Sequence, residues 1–154
     1  LDYALAPEPE RTIADLIRQG VRPMLAVSST YRAIRRAVIA YSGSMESAKA
    51  MKRFVQMRLW PNIPLHVACF GRDTEEATTL LRDAKRYCQA HGFAVSTDII
   101  DDPARDALLS YTQSVDGDLI VLGDGFRHAF LDNLLGDTMS HVMRHADRPL
   151  FLSH

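Results

Sequence analysis

Two glycine-bearing turns hold the residues of this sequence whose types and spacing suit the handling of a phosphate. In the first, Gly123 follows Asp118-Leu119-Ile120-Val121-Leu122, and Asp124-Gly125-Phe126-Arg127 leads on towards Gly136, Asp137 and Thr138. The apolar run reads as a strand buried on both faces of a parallel sheet. After it, Leu135, Met139, Val142 and Ala146 recur at spacings of four, three and four, which is one face of a helix. A strand that delivers a glycine loop to a helix N-terminus presents backbone N–H groups to an anion. The second turn, Ser42-Gly43-Ser44, follows Ala37-Val38-Ile39-Ala40-Tyr41, and its Ser44 is placed to cap the next helix.

Other constellations carry less chemistry. His141 and His145 stand four apart on the last helix, the spacing of two metal ligands, but the sequence places no third ligand, so they read as surface histidines. No serine sits in a nucleophile elbow, and the scattered Asp and His residues give no triad. Cys69 and Cys88 are too few and too far apart for a disulfide framework or a zinc site, which suggests reduced thiols in a cytoplasmic setting. A formal charge of −1 gives no footprint for nucleic acid, and Arg32, Arg35 and Arg36 read as a solvated linker. No apolar run reaches the roughly eighteen residues a membrane-spanning helix needs, so no membrane partner is expected.

The frame that must position these turns is one α/β domain. The 154 residues, 47% of them apolar and 24% charged, suffice for one sizeable core. Strands are expected at 37–41, 65–70, 93–100 and 118–122, with a last one after Pro149. Between them fall helices with apolar stripes: Ala48, Met51, Val55 and Leu59; then Ala77, Leu80, Leu81, Ala84 and Cys88; then Ala107, Leu108, Tyr111 and Val115. Asp73 with Glu76 has the spacing of a capping box, and Asp102 before Pro103 that of a cap followed by a first-position proline. Strict alternation implies an open, Rossmann-like, five-stranded parallel sheet with helices on both faces, and ligands at the carboxyl ends of its strands.

The chain also repeats itself. Residues 12–26 align with residues 138–152 at an offset of 126, with Thr12, Arg18, Arg22 and Pro23 identical to Thr138, Arg144, Arg148 and Pro149. Residues 1–28 therefore read as the terminal helix and strand of a preceding, truncated repeat, 29–35 as a linker, and 36–154 as the complete domain. In the repeat, Glu10 and Arg11 occupy the positions of Gly136 and Asp137, so that half lacks a phosphate loop.

With these residues in place, the sequence resembles the universal stress protein family, of the tandem-domain type. The resemblance rests on Ala40-Tyr41-Ser42-Gly43-Ser44, on Asp118 through Gly123, and on Leu135-Gly136 through Arg144-His145-Ala146 to Pro149. It implies strand order 3-2-1-4-5, a role in stress resistance and dimerisation through the fifth strand. Here that means Met24, Leu25 and Val27 lying antiparallel to Leu150, Phe151 and Leu152, as a homodimer or as a pseudo-dimer within one chain. It also implies an adenine nucleotide, ATP with Mg²⁺, held by Ser42, Gly43, Ser44 and Val67 on one side. Gly123, Gly125, Arg127, Gly136, Asp137 and Thr138 would hold it on the other.

The phosphate loop departs from the family pattern, which is glycine, two residues, glycine, nine residues, then glycine followed by serine or threonine. Gly123 and Gly136 match, but Phe126 replaces the middle glycine with Gly125 displaced by one, Asp137 replaces the hydroxyl, and Ser42 replaces an aspartate. A carboxylate about 4 Å from a phosphate oxygen costs roughly 4 kcal/mol per charge pair at an effective dielectric near 20. A helix N-terminus returns about 0.3–1 kcal/mol, so repulsion wins unless a cation bridges the two. The expectation is a degenerate site, ATP bound weakly or not at all, no required cofactor and no enzymatic activity. The alternatives are an ATP-binding member of the family and, because Ser42-Gly43-Ser44-Met45-Glu46-Ser47 is similar to the loop of ATP pyrophosphatases, an adenylating enzyme. That second resemblance fails at Ser44 and Glu46.

Overall fold

Strand and helix alternate from residue 37 onward because short apolar runs and amphipathic stretches alternate. The computed structural model describes residues 22–27, 29–123 and 137–153. Their elements are β1 (Met24–Ala26), β2 (Ala37–Ala40), α1 (Met45–Met57), β3 (Leu65–Phe70), α2 (Thr74–Ala90), β4 (Val95–Ile100), α3 (Ala104–Ser114), β5 (Leu119–Gly123), α4 (Asp137–His145) and β6 (Leu150–Ser153). The expected helix within residues 12–18 lies outside the described residues.

The strands form one sheet in the order β1-β6-β5-β2-β3-β4. β2 pairs in parallel with β3 and β5, β3 with β4, and β5 with β6. β1 runs antiparallel to β6, with Met24 opposite Leu152, Leu25 opposite Phe151 and Ala26 opposite Leu150. The expected five-stranded parallel sheet is thus corrected to a six-stranded mixed one. β1 covers backbone groups of β6 that would otherwise stand unpaired at an edge. Val27, assigned to this strand from sequence, lies beyond it and is 59% exposed. In the register it would face Pro149, which has no N–H to donate.

Strand alternation sorts the apolar residues into two layers. Ile39, Val67, Val121 and Phe151 point towards α1 and α2, where they meet Met51, Phe54, Leu81 and Cys88. Val38, Ile120, Leu150 and Leu152 point the other way, onto Leu108 of α3 and Met139 and Val142 of α4. Central β5 is buried along Leu119–Leu122 because both its faces and both its edges are covered. That is why it carries a continuous apolar run.

Local chemistry explains where the elements depart from expectation. Ser44 caps α1 by accepting from the Ser47 N–H, but the helix ends at Met57 with Arg58 in the left-handed region at φ 48°. Leu59, expected on the buried stripe, is therefore turned out and 49% exposed, while Phe54 takes its place against Trp60 and Phe151. Asp73 caps α2 through the Glu75 and Glu76 N–H groups, yet the Glu76 carboxylate pairs with Arg72 at 2.7 Å, so the box is not reciprocal. Asp102 does not cap α3. Pro103 itself is the cap residue, and its carbonyl accepts from the Asp106 and Ala107 N–H groups.

The stretch expected to be a solvated linker is held down. The Arg35 N–H donates to Asp118 at 3.0 Å, Arg32 lies 3.8 Å from Asp118 and 3.7 Å from Asp147, and the Arg36 guanidinium donates to the Val115 carbonyl. These contacts bind residues 32–36 to the turns before β5 and β6.

Candidate functional site

At the carboxyl edge of the sheet, β2 ends in a turn whose hydroxyls crowd together. Gly43 sits at φ 73°, a conformation that favours glycine, with the Leu80 side chain where a β-carbon would go. The turn lets Ser44 start α1 and brings Ser42, Ser44 and Ser47 together, their hydroxyl oxygens 3.3 Å apart for both the 42–47 and 44–47 pairs. Ser47 is buried, and its hydroxyl also donates to the Ser44 carbonyl at 3.0 Å.

Gly123, at the end of neighbouring β5, passes directly beneath this first helical turn. A β-carbon built on it would stand 2.4 Å from the Glu46 carbonyl carbon and oxygen and 2.5 Å from the Ser47 nitrogen. The glycine is required by packing between two main chains, whatever else it does. Around this contact lies a cavity of about 190 Å³. Ser42, Ser44 and Ser47 form its hydroxyl side, with Tyr41 and Ala40 beside them. Phe70, Ala104, Leu122, Met139 and Thr138 form the remainder, with Gly123 at its base. None of these lining residues is Lys, Arg, Asp, Glu or His. Tyr41 is the titratable one, and burial, then the nearby Asp83, pushes its phenol above the ordinary value.

Of the residues predicted from sequence, the structure brings together Ser42, Ser44, Gly123 and Thr138, with Gly43 shaping the turn. Val67 is not among them: its side chain is wholly buried in the core, facing α1 and α2, because it alternates with His66 and Ala68 along β3. Gly125, Arg127 and Gly136 lie outside the described residues, as does the side chain of Asp137, whose backbone opens α4. Sequence reasoning gave no sign of Phe70, Ala104 and Met139 at the site, and named Ser47 only within the loop similar to that of ATP pyrophosphatases. Ser47 lies three residues after a capping serine, where it shares the helix's first turn.

His141 and His145 stack at 4.4 Å, and Nδ1 of His145 shares a hydrogen bond of 2.8 Å with the His141 carbonyl. Among the described residues, no three His, Cys, Asp or Glu side chains are grouped to hold a metal. Cys69 and Cys88 are buried and free, and burial pushes the Cys88 thiol up to about 12. No helix among the described residues is long and apolar enough to cross a membrane.

A sheet of this order, with helices on both faces and a cavity where β2 and β5 end, defines an open, doubly wound α/β domain. Residues 70–154 match the universal stress protein family, and the chain belongs to that family. It is 22% identical over 137 residues to universal stress protein Slr1230 of Synechocystis sp., covering 88% of this chain and 48% of that protein. The chain thus spans about half the length of that curated relative. Its fold is similar to that of hypothetical protein MJ0577, with a TM-score of 0.70 at 14% identity, covering 78% of this chain and 95% of the other. It is similar also to a universal stress protein in complex with cAMP, with a TM-score of 0.68 at 24% identity, covering 80% and 98%.

Proposed function

We propose that this chain is a non-enzymatic stress-response domain that acts by association, with an adenine-nucleotide site degenerate at its phosphate end. The observation that carries the reading is the cavity at the carboxyl edge. Its described lining offers hydroxyl and apolar groups but no lysine or arginine to neutralise a phosphate chain. The helix beside it opens on Asp137. A family member of the same fold holds cAMP, which supports an adenine nucleotide as the ligand class, while the composition of this site argues against tight retention of a triphosphate. The reading requires no cofactor. Were ATP to bind, Mg²⁺ would serve to bridge Asp137 and the phosphates.

The same reading takes residues 1–28 as the tail of a preceding repeat, 29–35 as the connection and 36–154 as the complete domain, in a cytoplasmic protein. The antiparallel pairing of β1 with β6 supports it, since it supplies within one chain the edge partner that a last strand needs. Association is then a pseudo-dimer inside the chain, or a homodimer when β1 exchanges onto a second molecule.

The adenylating alternative has the first turn to draw on, but there Ser44 is committed to capping α1 and the three serine hydroxyls bond to one another. Incubation with ATP and Mg²⁺ while measuring released phosphate and pyrophosphate tests the proposal. The expected result is no release above a protein-free control. Steady pyrophosphate release that disappears in Ser42→Ala would install the enzyme in its place.

A further inference from the structure

Beneath α3, on the face of the sheet that meets it, lies a polar cluster unrelated to the hydroxyl turn. His66 on β3 alternates with core residues Leu65 and Val67 and so faces α3, with Val38 on β2 and Ser96 on β4 as its register partners. Two residues further along β4, on the same face, Asp98 accepts a hydrogen bond of 2.6 Å from the Tyr111 hydroxyl of α3. Two residues back along the sheet stands Arg36, which reaches the Val115 carbonyl and lies 4.0 Å from Asp116 after α3. His66 Nδ1 and Arg36 Nε are both shielded from solvent without a hydrogen-bond partner. Neutral His66 is therefore set between a guanidinium and a carboxylate already engaged elsewhere.

Tyr111 carries the consequence away from the cluster. Its ring meets Phe70 edge-on at 5.8 Å, and Phe70 is a wall of the carboxyl-edge cavity. The hydrogen bond to Asp98 thus adds to core packing in setting the position of the ring on which that wall rests.

The geometry points to a proton-operated latch: a proton from solvent makes His66 an imidazolium, which draws Asp98 from the Tyr111 hydroxyl and releases the Tyr111 ring from Phe70. Burial first, and the Arg36 charge second, hold His66 below the ordinary imidazole value against the opposing pull of Asp98. The folded protein resists the proton, so the neutral, latched form holds at neutral pH, and its stability advantage is lost as pH falls below the ordinary imidazole range. The charged groups that act on His66 are Arg36, before β2, and Asp98, on β4; Tyr111 of α3 bonds to Asp98, and Asp116 beyond α3 lies 4.0 Å from Arg36. Arg36 opposes protonation and Asp98 favours it. The latch is independent of what the cavity binds.

Aromatic and histidine resonances of the 154-residue chain, followed by NMR from neutral to mildly acidic pH, test it. In the native chain the Phe70 ring signals shift with the same midpoint as His66, and His66→Gln abolishes that shift. Tyr111→Phe leaves the His66 titration in place but uncouples Phe70. Should His66→Gln fail to fold, Arg36→Gln serves instead, raising the His66 midpoint and carrying the Phe70 midpoint up with it. Phe70 signals that stay still while His66 titrates, or that shift unchanged in His66→Gln, overturn the latch.

Discussion

Gly123 and Glu46, separated by most of the domain in sequence, are in main-chain contact. The α-hydrogen side of Gly123 faces the Glu46 carbonyl so closely that a β-carbon would lie 2.4 Å from its carbon. The contact joins the end of β5 to the first turn of α1, the two elements that flank the cavity.

Gly123→Ala is therefore expected to destabilise the fold itself. The obstacle is backbone, which cannot rotate away, so the cost falls in or above the overpacking range of about 1–3 kcal/mol. For a domain of this size that lowers the melting temperature by roughly 2–4 °C per kcal/mol. Calorimetric melting checks it, and an unchanged melting temperature would mean that α1 can lift from β5 at no cost.

The pairing of β1 with β6 predicts a cross-link. Ala26 and Leu150 are register partners, so Ala26→Cys with Leu150→Cys places two thiols on adjacent strands. Native Cys69 and Cys88 are buried and do not compete. Mild oxidation is expected to give a disulfide within one chain, running as a monomer on a non-reducing gel. A disulfide-linked dimer as the main product would place β1 on a second molecule.

Arg148 predicts a stability loss with a pH signature. Its side chain is only 9% exposed and donates to Asp147 at 2.7 Å and to the Gly117 carbonyl at 2.6 Å. Replacing it as Arg148→Met removes a charge-assisted bond worth about 1.5–3 kcal/mol and orphans a carbonyl. The hydrogen bond from Arg148 holds the Asp147 carboxyl below its ordinary value. That pairing contributes stability above the unfolded carboxylate pKa and loses it as pH falls through the folded one. Urea melts at neutral pH and below the carboxylate range are expected to show Arg148→Met losing less on acidification than the native chain. Asp147 is largely exposed, so that acid component is small.

Much of this architecture could be read from residue patterning, and the failures have physical causes. Leu65 to Phe70 declares itself as a strand between a proline and a glycine, and Asp73 declares its helix, because both signals are local. Helical periodicity continues past Met57 and puts Leu59 on a buried stripe, whereas the left-handed Arg58 ends the helix first. Glu76 was expected to complete a capping box, but Arg72 one turn earlier claims it. The cavity was half legible. Ser42, Ser44 and Gly123 sit at strand ends where glycine and serine signal turns, whereas Phe70 and Met139 reach it only through the tertiary arrangement of β3 and α4. Val67 does not line it for the same reason: strand alternation, set by its neighbours, sends its side chain into the core.

In the proposed function, one carboxylate at the start of α4 spoils the phosphate end of a nucleotide site. Calorimetric titration of ATP into the native chain and into Asp137→Ser, with and without Mg²⁺, tests it most directly. Relief of about 4 kcal/mol corresponds to nearly a thousandfold in affinity. The account predicts little or no heat from the native chain and clear saturable binding by Asp137→Ser. Submicromolar binding by the native chain in the absence of metal would contradict it.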